Sequence, residues 1–316
     1  MAPLVRIGTR RSKLALTQSG MMQRAIGRAL GVADADLAGA VPLVEIVTTG
    51  DRVQDVRLME IGGKALFTKE IEEALLDGRV DVAVHSMKDV PAEQPAGLCI
   101  AATPPREDPR DAFVSEAFAS FADLPNGARL GTASLRRQAQ ALALRPDLQI
   151  EMLRGNVDTR LRKLADGEFD AILLAVSGLN RLGFESVIRE RLSLDDFLPA
   201  PGQGALALQT RAEDREAAWV AALNDPAAAL AVAAERGAMT ALEGSCRTAI
   251  GAHAGIAAGR LRLTAEKLAP DGSVRWRRTG EIGDVDAVGA TEQARALGLR
   301  LGAEVHAMAG DAGEGS

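Results

Sequence analysis

Three pairs of segments repeat across the first two thirds of this 316-residue chain, and their order restricts it to a fold of two similar α/β halves. VRIGTRRS at 5–12 resembles ARLGTASL at 128–135, each an apolar strand that ends in Gly-Thr and enters a helix. LVEIVTTGD at 43–51 is echoed by IEMLRGNVD at 150–158, a strand followed by a Gly turn. EEALLDGRVDVAVHS at 72–86 matches RKLADGEFDAILLAVS at 162–177, a helix closed by an Asp-Gly stop and then a buried strand. Strands that alternate with helices predict a mainly parallel sheet in each half, with functional loops at the carboxyl ends of the strands.

Pro-rich segments mark two crossings between the halves, TPPREDPRD at 103–111 and LPAPGQGAL at 198–206. GALALQTR after the second crossing reads as a strand that returns to the first half. The expected division is a discontinuous α/β domain of 1–104 with 204–223, a second α/β domain of 105–203 hinged at both ends, and a small α+β domain of 224–316. The third contains an Ala-rich helix from Asn224-Asp225-Pro226, the segment LEGSC, two strands around the APDGS turn and a helix from about Thr291. The tail from about residue 310, GDAGEGS, is expected to be disordered.

Strand-end loops collect the polar chemistry. In DVAVHSMKDVP at 81–91 the apolar run Val82–Val84 leads into His85, Ser86, Lys88 and Asp89, with Pro91 ending any continuing ladder. Arg10, Arg11 and Ser12 follow the first strand. The second half supplies Ser134, Arg136 and Arg137, then Arg154 and Arg160, then Arg181. If these ends share a cleft, six or seven cations meet there with few acids, although about a third should cap helices or pair with surface carboxylates. The chain as a whole is acidic, with a formal charge of −6, which argues against a nonspecific nucleic-acid binder. An acidic protein with a basic cleft suits a small polyanion, and the planar fork of Arg suits one that carries several carboxylates.

Phosphate motifs fail on inspection. Gly-Gly-Lys at 62–64 is followed by Ala65 where a P-loop needs Ser or Thr. Gly202-Gln203-Gly204 with Ala207 follows a Pro-rich crossing instead of a strand, so its likeness to a dinucleotide fingerprint is chance. The segment from Gly50 to Lys64 reads as a loop able to close over the cleft. The histidines His85, His253 and His306 lie far apart, and no metal site is expected. No apolar run spans a bilayer, the N-terminus leaves no room for a secretory signal, and two cysteines imply no disulfide framework, so a reducing cytoplasm is the expected setting. Cys99 sits in the apolar run GLCIAA. Cys246, between Gly244 and Gly251 and beside Arg247, has the setting of an exposed thiolate or of a small packing residue at a tight turn.

Taken together, VHSMKDVP, GTxSLRRQ, RGNxxTR, LPAxGQGA and LEGxC resemble the porphobilinogen deaminase (hydroxymethylbilane synthase) family in order and spacing over nearly the whole chain. A non-catalytic anion binder with the same two-lobed fold, and a thiol amidase, are the alternatives. The first leaves Cys246 unexplained and the second lacks a base. The resemblance implies two βα domains of the type II periplasmic-binding-protein architecture around a cleft, plus the small α+β domain at the C-terminus. It implies a covalent dipyrromethane cofactor, one per chain, on Cys246, with its acetates and propionates held by Lys88, Thr132, Ser134, Arg136 and Arg137. Arg10, Ser12, Gln18, Lys64, Phe67, Arg154, Arg160, Arg181 and Gln203 would serve the incoming porphobilinogen or the growing chain. Asp89 would be the catalytic carboxylate, close to the cofactor, steadying pyrrole N–H groups as positive charge develops. The expected reaction is deamination and head-to-tail condensation of four porphobilinogens, followed by hydrolysis to hydroxymethylbilane, in a monomer that needs neither nucleic acid nor membrane. Glu60, Lys13 and Arg247 depart from the family pattern and bear on loop closure.

Overall fold

The computed structural model describes residues 2–49, 68–242 and 248–311 and divides the chain into two compact units. The first is Met1–Glu107 with Ala205–Ala229, and the second is Asp108–Gly204 with Leu230–Ser316.

In the first unit, strands β1 (Ile7–Thr9), β2 (Leu43–Glu45), β3 (Val82–Ser86), β4 (Leu98–Ala102) and β10 (Leu206–Arg211) form one sheet in the order β2-β1-β3-β10-β4. β1 runs parallel to both β2 and β3, whereas β10 is antiparallel to β3 and β4. The second unit repeats this plan with β5 (Asp111–Val114), β6 (Arg129–Gly131), β7 (Gln149–Glu151), β8 (Ala171–Ala175) and β9 (Glu190–Arg191), ordered β7-β6-β8-β5-β9. Here β6 is parallel to β7 and β8, and β5 is the reversed strand. In each sheet the reversed strand is the first one after a Pro-rich crossing, so "mainly parallel" holds with one strand of five inverted.

Burial on both faces explains the near-continuous apolar strands. Ile7, Val82, Val84 and Leu208 pack with Met22 and Ile26 of the helix Lys13–Ala29 on one face. Ala83 and Ile46 pack with Ile71 and Leu75 of the helix Lys69–Leu76 on the other. The second sheet alternates likewise, with Phe113, Leu130 and Leu173 on one side and Val114, Ile172 and Leu174 on the other. Phe121 makes edge contacts with Phe113 and Phe197 at centroid distances of 6.2 and 5.3 Å.

The repeat extends to side-chain detail. The helices Lys69–Leu76 and Val157–Ala165 both end at an Asp followed by a left-handed Gly, Gly78 and Gly167. Each chain segment then turns at an Asp that clamps an Arg at the first parallel strand of its unit. Asp81 accepts from Arg6 Nε and Nη2 at 2.9 and 2.8 Å, and Asp170 accepts from Arg129 N at 2.7 Å and Nη2 at 3.4 Å.

The C-terminal region contains one strand more than the sequence indicates. β11 (Ala249–Ala257), β12 (Arg260–Leu268) and β13 (Arg275–Ile282) form an antiparallel sheet. β11 reads AIGAHAGIA, mostly Ala and Gly, which have low strand propensity, and is fixed by its ladder to β12 more than by local preference. The helix Pro226–Ala241 begins as expected, with Asp225 accepting from Ala228 N at 2.8 Å and Pro226 in the first turn. The final helix, Ala290–Asp311, runs past the point where the tail was expected to begin, and residues 312–316 lie outside the described part. Leu230, Leu263, Leu297 and Leu301 share its core. The β12–β13 turn also touches a helix of the second five-stranded sheet. Gly272, with φ of 75°, lies so close to the backbone of Ala139 and Ala143 that any side chain would collide. That contact helps make β5–β9 and β11–β13 parts of one unit.

His85 belongs to the scaffold. It is buried, with Nε2 3.0 Å from Gln209 Oε1. Gln209 Nε2 faces the acceptors of Gln94 and Glu72, so its oxygen faces His85 and the ring donates from Nε2. Burial, with a lesser contribution from the Arg10 charge and against the Gln209 hydrogen bond, pushes the His85 pKa down to about 4. The folded pKa lies below the unfolded one, so the unfolded chain takes up the proton first and stability falls as pH drops through the interval between them. At pH 5 this amounts to about 2 kcal/mol relative to neutral pH. Thermal melts should shift down between pH 7.5 and 5, and His85→Gln should flatten that dependence; an unchanged slope in the variant would remove His85 as its source.

Candidate active site

Parallel strands β1 and β3 present their carboxyl ends side by side at the switch point of the first sheet, the edge where open α/β sheets bind ligands. β1 delivers Arg10, Arg11 and Ser12. Ser12 caps the helix Lys13–Ala29, its Oγ accepting from Ala15 N at 3.3 Å, and no acid occupies the helix's first turn. Gln18, only 3% exposed, joins this helix to β3 by donating from Nε2 to Ser86 Oγ at 3.0 Å. β3 continues into a single 3₁₀ turn, Met87–Asp89. Met87 and Val90 are buried, and Met87 N donates to Ala205 O at 3.0 Å. The two residues between those anchors, Lys88 and Asp89, are exposed. The turn therefore presents an ammonium and a carboxylate together from a rigid strand end.

The second sheet repeats the device at the ends of β6, β7 and β8. Thr132 Oγ1 accepts from Ser134 N at 3.1 Å, and Ser134 Oγ caps the helix Leu135–Leu144 by accepting from Arg137 N at 3.4 Å. The first turn of this helix sends Arg136 and Arg137 inward, where they are 4% and 6% exposed. Both reach Asp111, a fully buried carboxylate on β5 that no sequence motif singles out. Asp111 Oδ2 accepts from Arg136 Nη1 at 2.7 Å, and Oδ1 accepts from Arg137 Nε and Nη2 at 3.0 and 2.7 Å. Burial alone would raise the Asp111 pKa. The charges of the two guanidinium groups and their hydrogen bonds outweigh it and hold the carboxyl well below its ordinary range.

One carboxylate against two guanidinium groups leaves a surplus positive charge at this point. Arg137 uses all three nitrogens, Nη1 donating to Leu173 O at 3.0 Å. Arg136 does not. Nη1 carries its bonds to Asp111, Gln140 Oε1 and Leu198 O, while Nε is buried without a hydrogen-bond partner among the described residues. Arg154, at the end of β7, also has a buried Nε without a partner. Arg160 Nε donates to Gly155 O at 2.8 Å, and Arg181 Nη2 donates to Gly204 O at 2.6 Å. Gln203, expected near the substrate, is 1% exposed and donates from Nε2 to Pro109 O at 2.7 Å and Asp111 Oδ1 at 2.9 Å. It ties the two crossing segments together within the second unit. Unsatisfied buried donors beside a surplus positive charge fit a ligand that brings carboxylates, as a dipyrromethane with acetate and propionate arms does.

Lys64, Phe67 and Cys246 lie outside the described residues, as do Glu60 and Arg247. Cys99 is half-buried, its Sγ 3.8 Å from Thr210 Oγ1 and 4.0 Å from Arg211 O. Among the described residues no cluster of His, Cys, Asp and Glu could hold a metal ion, and no helix is long and apolar enough to cross a membrane.

Sequence comparison completes the assignment. The family model described as "Porphobilinogen deaminase, dipyromethane cofactor binding domain" matches residues 5–218, and "Porphobilinogen deaminase, C-terminal domain" matches residues 229–307. A porphobilinogen deaminase of Caulobacter vibrioides is 62% identical over 316 residues, covering 98% of this chain and 97% of that protein. One from Phenylobacterium zucineum is 60% identical over 314 residues, covering 98% of each, and one from Sorangium cellulosum is 51% identical over 300 residues, covering 95% and 97%. Among solved structures, a nutrient binding protein from Burkholderia cenocepacia bound to methionine aligns with a TM-score of 0.43 and 18% identity over 69% of this chain and 89% of that one, too low a score to carry any inference. With matched domains over nearly its whole length and relatives of this similarity, the chain belongs to the porphobilinogen deaminase family, transferases that polymerise porphobilinogen head to tail on a dipyrromethane primer to give hydroxymethylbilane.

Proposed function

We propose that Arg136 is the anchor for a cofactor carboxylate and that Asp89 is the catalytic group; the observation that carries the first part is the buried, unpartnered Nε of Arg136 beside a surplus positive charge. Cys246 is the thioether attachment point. Lys88, Thr132, Ser134 and Arg137 complete the cofactor's polar surroundings, Arg137 chiefly by sharing Asp111 with Arg136. When bound, the dipyrromethane supplies the nucleophilic pyrrole carbon on which the chain grows. Arg10, Ser12, Gln18, Lys64, Phe67, Arg154, Arg160, Arg181 and Gln203 bind porphobilinogen and the lengthening product, Gln18 and Gln203 by holding backbone and neighbouring side chains in place and the arginines by pairing with carboxylates. Three domains, of 1–104 with 204–223, 105–203 and 224–316, a monomeric cytoplasmic enzyme, and independence from nucleic acid complete this reading.

Two features of its turn support this role for Asp89. It is exposed on a turn clamped at both ends, so its carboxylate can accept from a pyrrole N–H without local rearrangement. As ammonia departs from porphobilinogen, positive charge develops on the substrate ring, and a fixed anion stabilises that charge far more in a partly dry site than in water. Lys88, one residue earlier, offers a cation to a carboxylate arm from the same turn.

Intact-mass measurement tests the attachment. Purified protein should carry a dipyrrole increment that Cys246→Ser abolishes and Cys99→Ser keeps; the opposite pattern would sink the assignment. The roles of binding and chemistry should separate in the same measurement. Asp89→Asn should load its cofactor and turn over about a hundredfold more slowly, the usual cost of removing a transition-state charge partner. Arg136→Leu should be recovered folded but largely unloaded, and full occupancy there would contradict the anchoring role.

A further inference from the structure

A chain of buried polar groups leads from Arg136 to the C-terminal sheet. Gln140, one turn along the helix and fully buried, accepts from Arg136 Nη1 at 2.9 Å through Oε1. Its Nε2 donates to Leu198 O at 2.8 Å and to Glu266 Oε1 at 2.6 Å. Glu266, 0% exposed on β12, receives Arg277 Nε and Nη2 on its other oxygen at 2.9 and 2.6 Å. In the ladder Glu266 stands opposite Gly251, five residues after Cys246. A Cβ on Gly251 would lie 2.9 Å from Leu198 O and 3.3 Å from Glu266 Cγ, so only glycine lets this strand approach the shared carbonyl.

We infer that Glu266 is a positioning residue for cofactor capture, acting through Gln140 to fix the Arg136 guanidinium with its Nε edge open. The inference rests on the reading that Arg136 holds a cofactor carboxylate. An amide side chain has two orientations, and the groups around Gln140 select one. Leu198 O and the Glu266 carboxylate are acceptors, so the NH₂ of Gln140 must face them and its oxygen must face Arg136. Without the acceptor at 266, the amide keeps only Leu198 O, a carbonyl it shares with Arg136 Nη1, to fix its orientation. The bond from Arg136 Nη1 to Gln140 Oε1 is then held less firmly, and the guanidinium is less strictly confined with its Nε to one side. Arg277 stabilises Glu266 but lies beyond this relay, so its loss should affect stability and not capture.

The test keeps Arg277 out of the comparison. In Arg277→Met, Glu266→Gln retains an acceptor oxygen for Gln140 and Glu266→Leu does not. Cofactor-free protein of each variant is incubated with porphobilinogen, and loading is followed by intact mass, with the melting temperature recorded beside it. Arg277→Met and Arg277→Met/Glu266→Gln should load like the unaltered chain even if they melt lower. Arg277→Met/Glu266→Leu and, independently, Gln140→Leu should load about tenfold more slowly, the size seen when a supporting partner of a binding group is removed. Normal loading of Gln140→Leu, or equal loading of the Gln and Leu forms at 266, would overturn the relay while Arg136→Leu remained empty. Normal loading of Arg136→Leu would instead overturn the anchoring role itself, and the relay with it.

Discussion

The ion cluster at Asp111 is the contact on which the second unit depends. A carboxylate with no exposed surface is tolerated only because Arg136 and Arg137 supply three of its hydrogen bonds and Gln203 a fourth. In meeting that need, the cluster joins the reversed strand β5, the first turn of the helix Leu135–Leu144 and the second crossing segment. Removing Asp111 would leave two buried guanidinium groups unpaired, which costs far more than the net worth of the pairs themselves. The same arrangement sets two cations against one anion, so the charge that holds the second unit together is left in positive surplus.

The plan shared by the two sheets explains how the groups reach the strand ends. In both sheets the strand β1 or β6 lies between its parallel neighbours, and the loop after it enters a helix capped by a serine, Ser12 or Ser134. The two halves differ in where they carry arginine. Arg10 and Arg11 precede Ser12 on the loop, whereas Arg136 and Arg137 come after Ser134 inside the helix and turn inward. One half therefore offers basic groups from a loop, and the other holds them as buried forks. The loop is also one residue longer in the first copy, which displaces the serine cap from its place in the simple sequence repeat.

Much of this was legible beforehand. Strand ends, Asp-Gly helix stops and the return of GALALQTR to the first sheet follow from apolar runs and turn chemistry, which are local signals. Motif resemblance nominated site residues but carried nothing of their geometry. What escaped was set by distant partners. β11 is dominated by Ala and Gly, with two isoleucines too few to mark a strand, and is fixed by its ladder to β12, while Asp111 looked like one more acid in a charged crossing segment. Its single local sign was a charged residue opening the apolar run AFV. Gln140 and Glu266 carry no local sign at all, since a helix glutamine and a strand glutamate usually face water. Gln203 and His85, polar residues in functional-looking motifs, make hydrogen bonds to residues 92 and 124 positions away, which no local pattern announces.

The reversed strand β10 has a consequence for synthesis. Among the described residues it is the strand that lies between β3 and β4, yet it is made after the whole of β5–β9. Until residue 211 has left the ribosome, the first sheet lacks the strand that joins β3 to β4, and both show bare edges flanked by apolar side chains. The second five-stranded sheet, whose strands all lie between residues 111 and 191, can close first. The N-terminal half of the chain would thus be the later one to finish folding, and its waiting edges are where a chaperone, or a neighbouring nascent chain, would find backbone to bind.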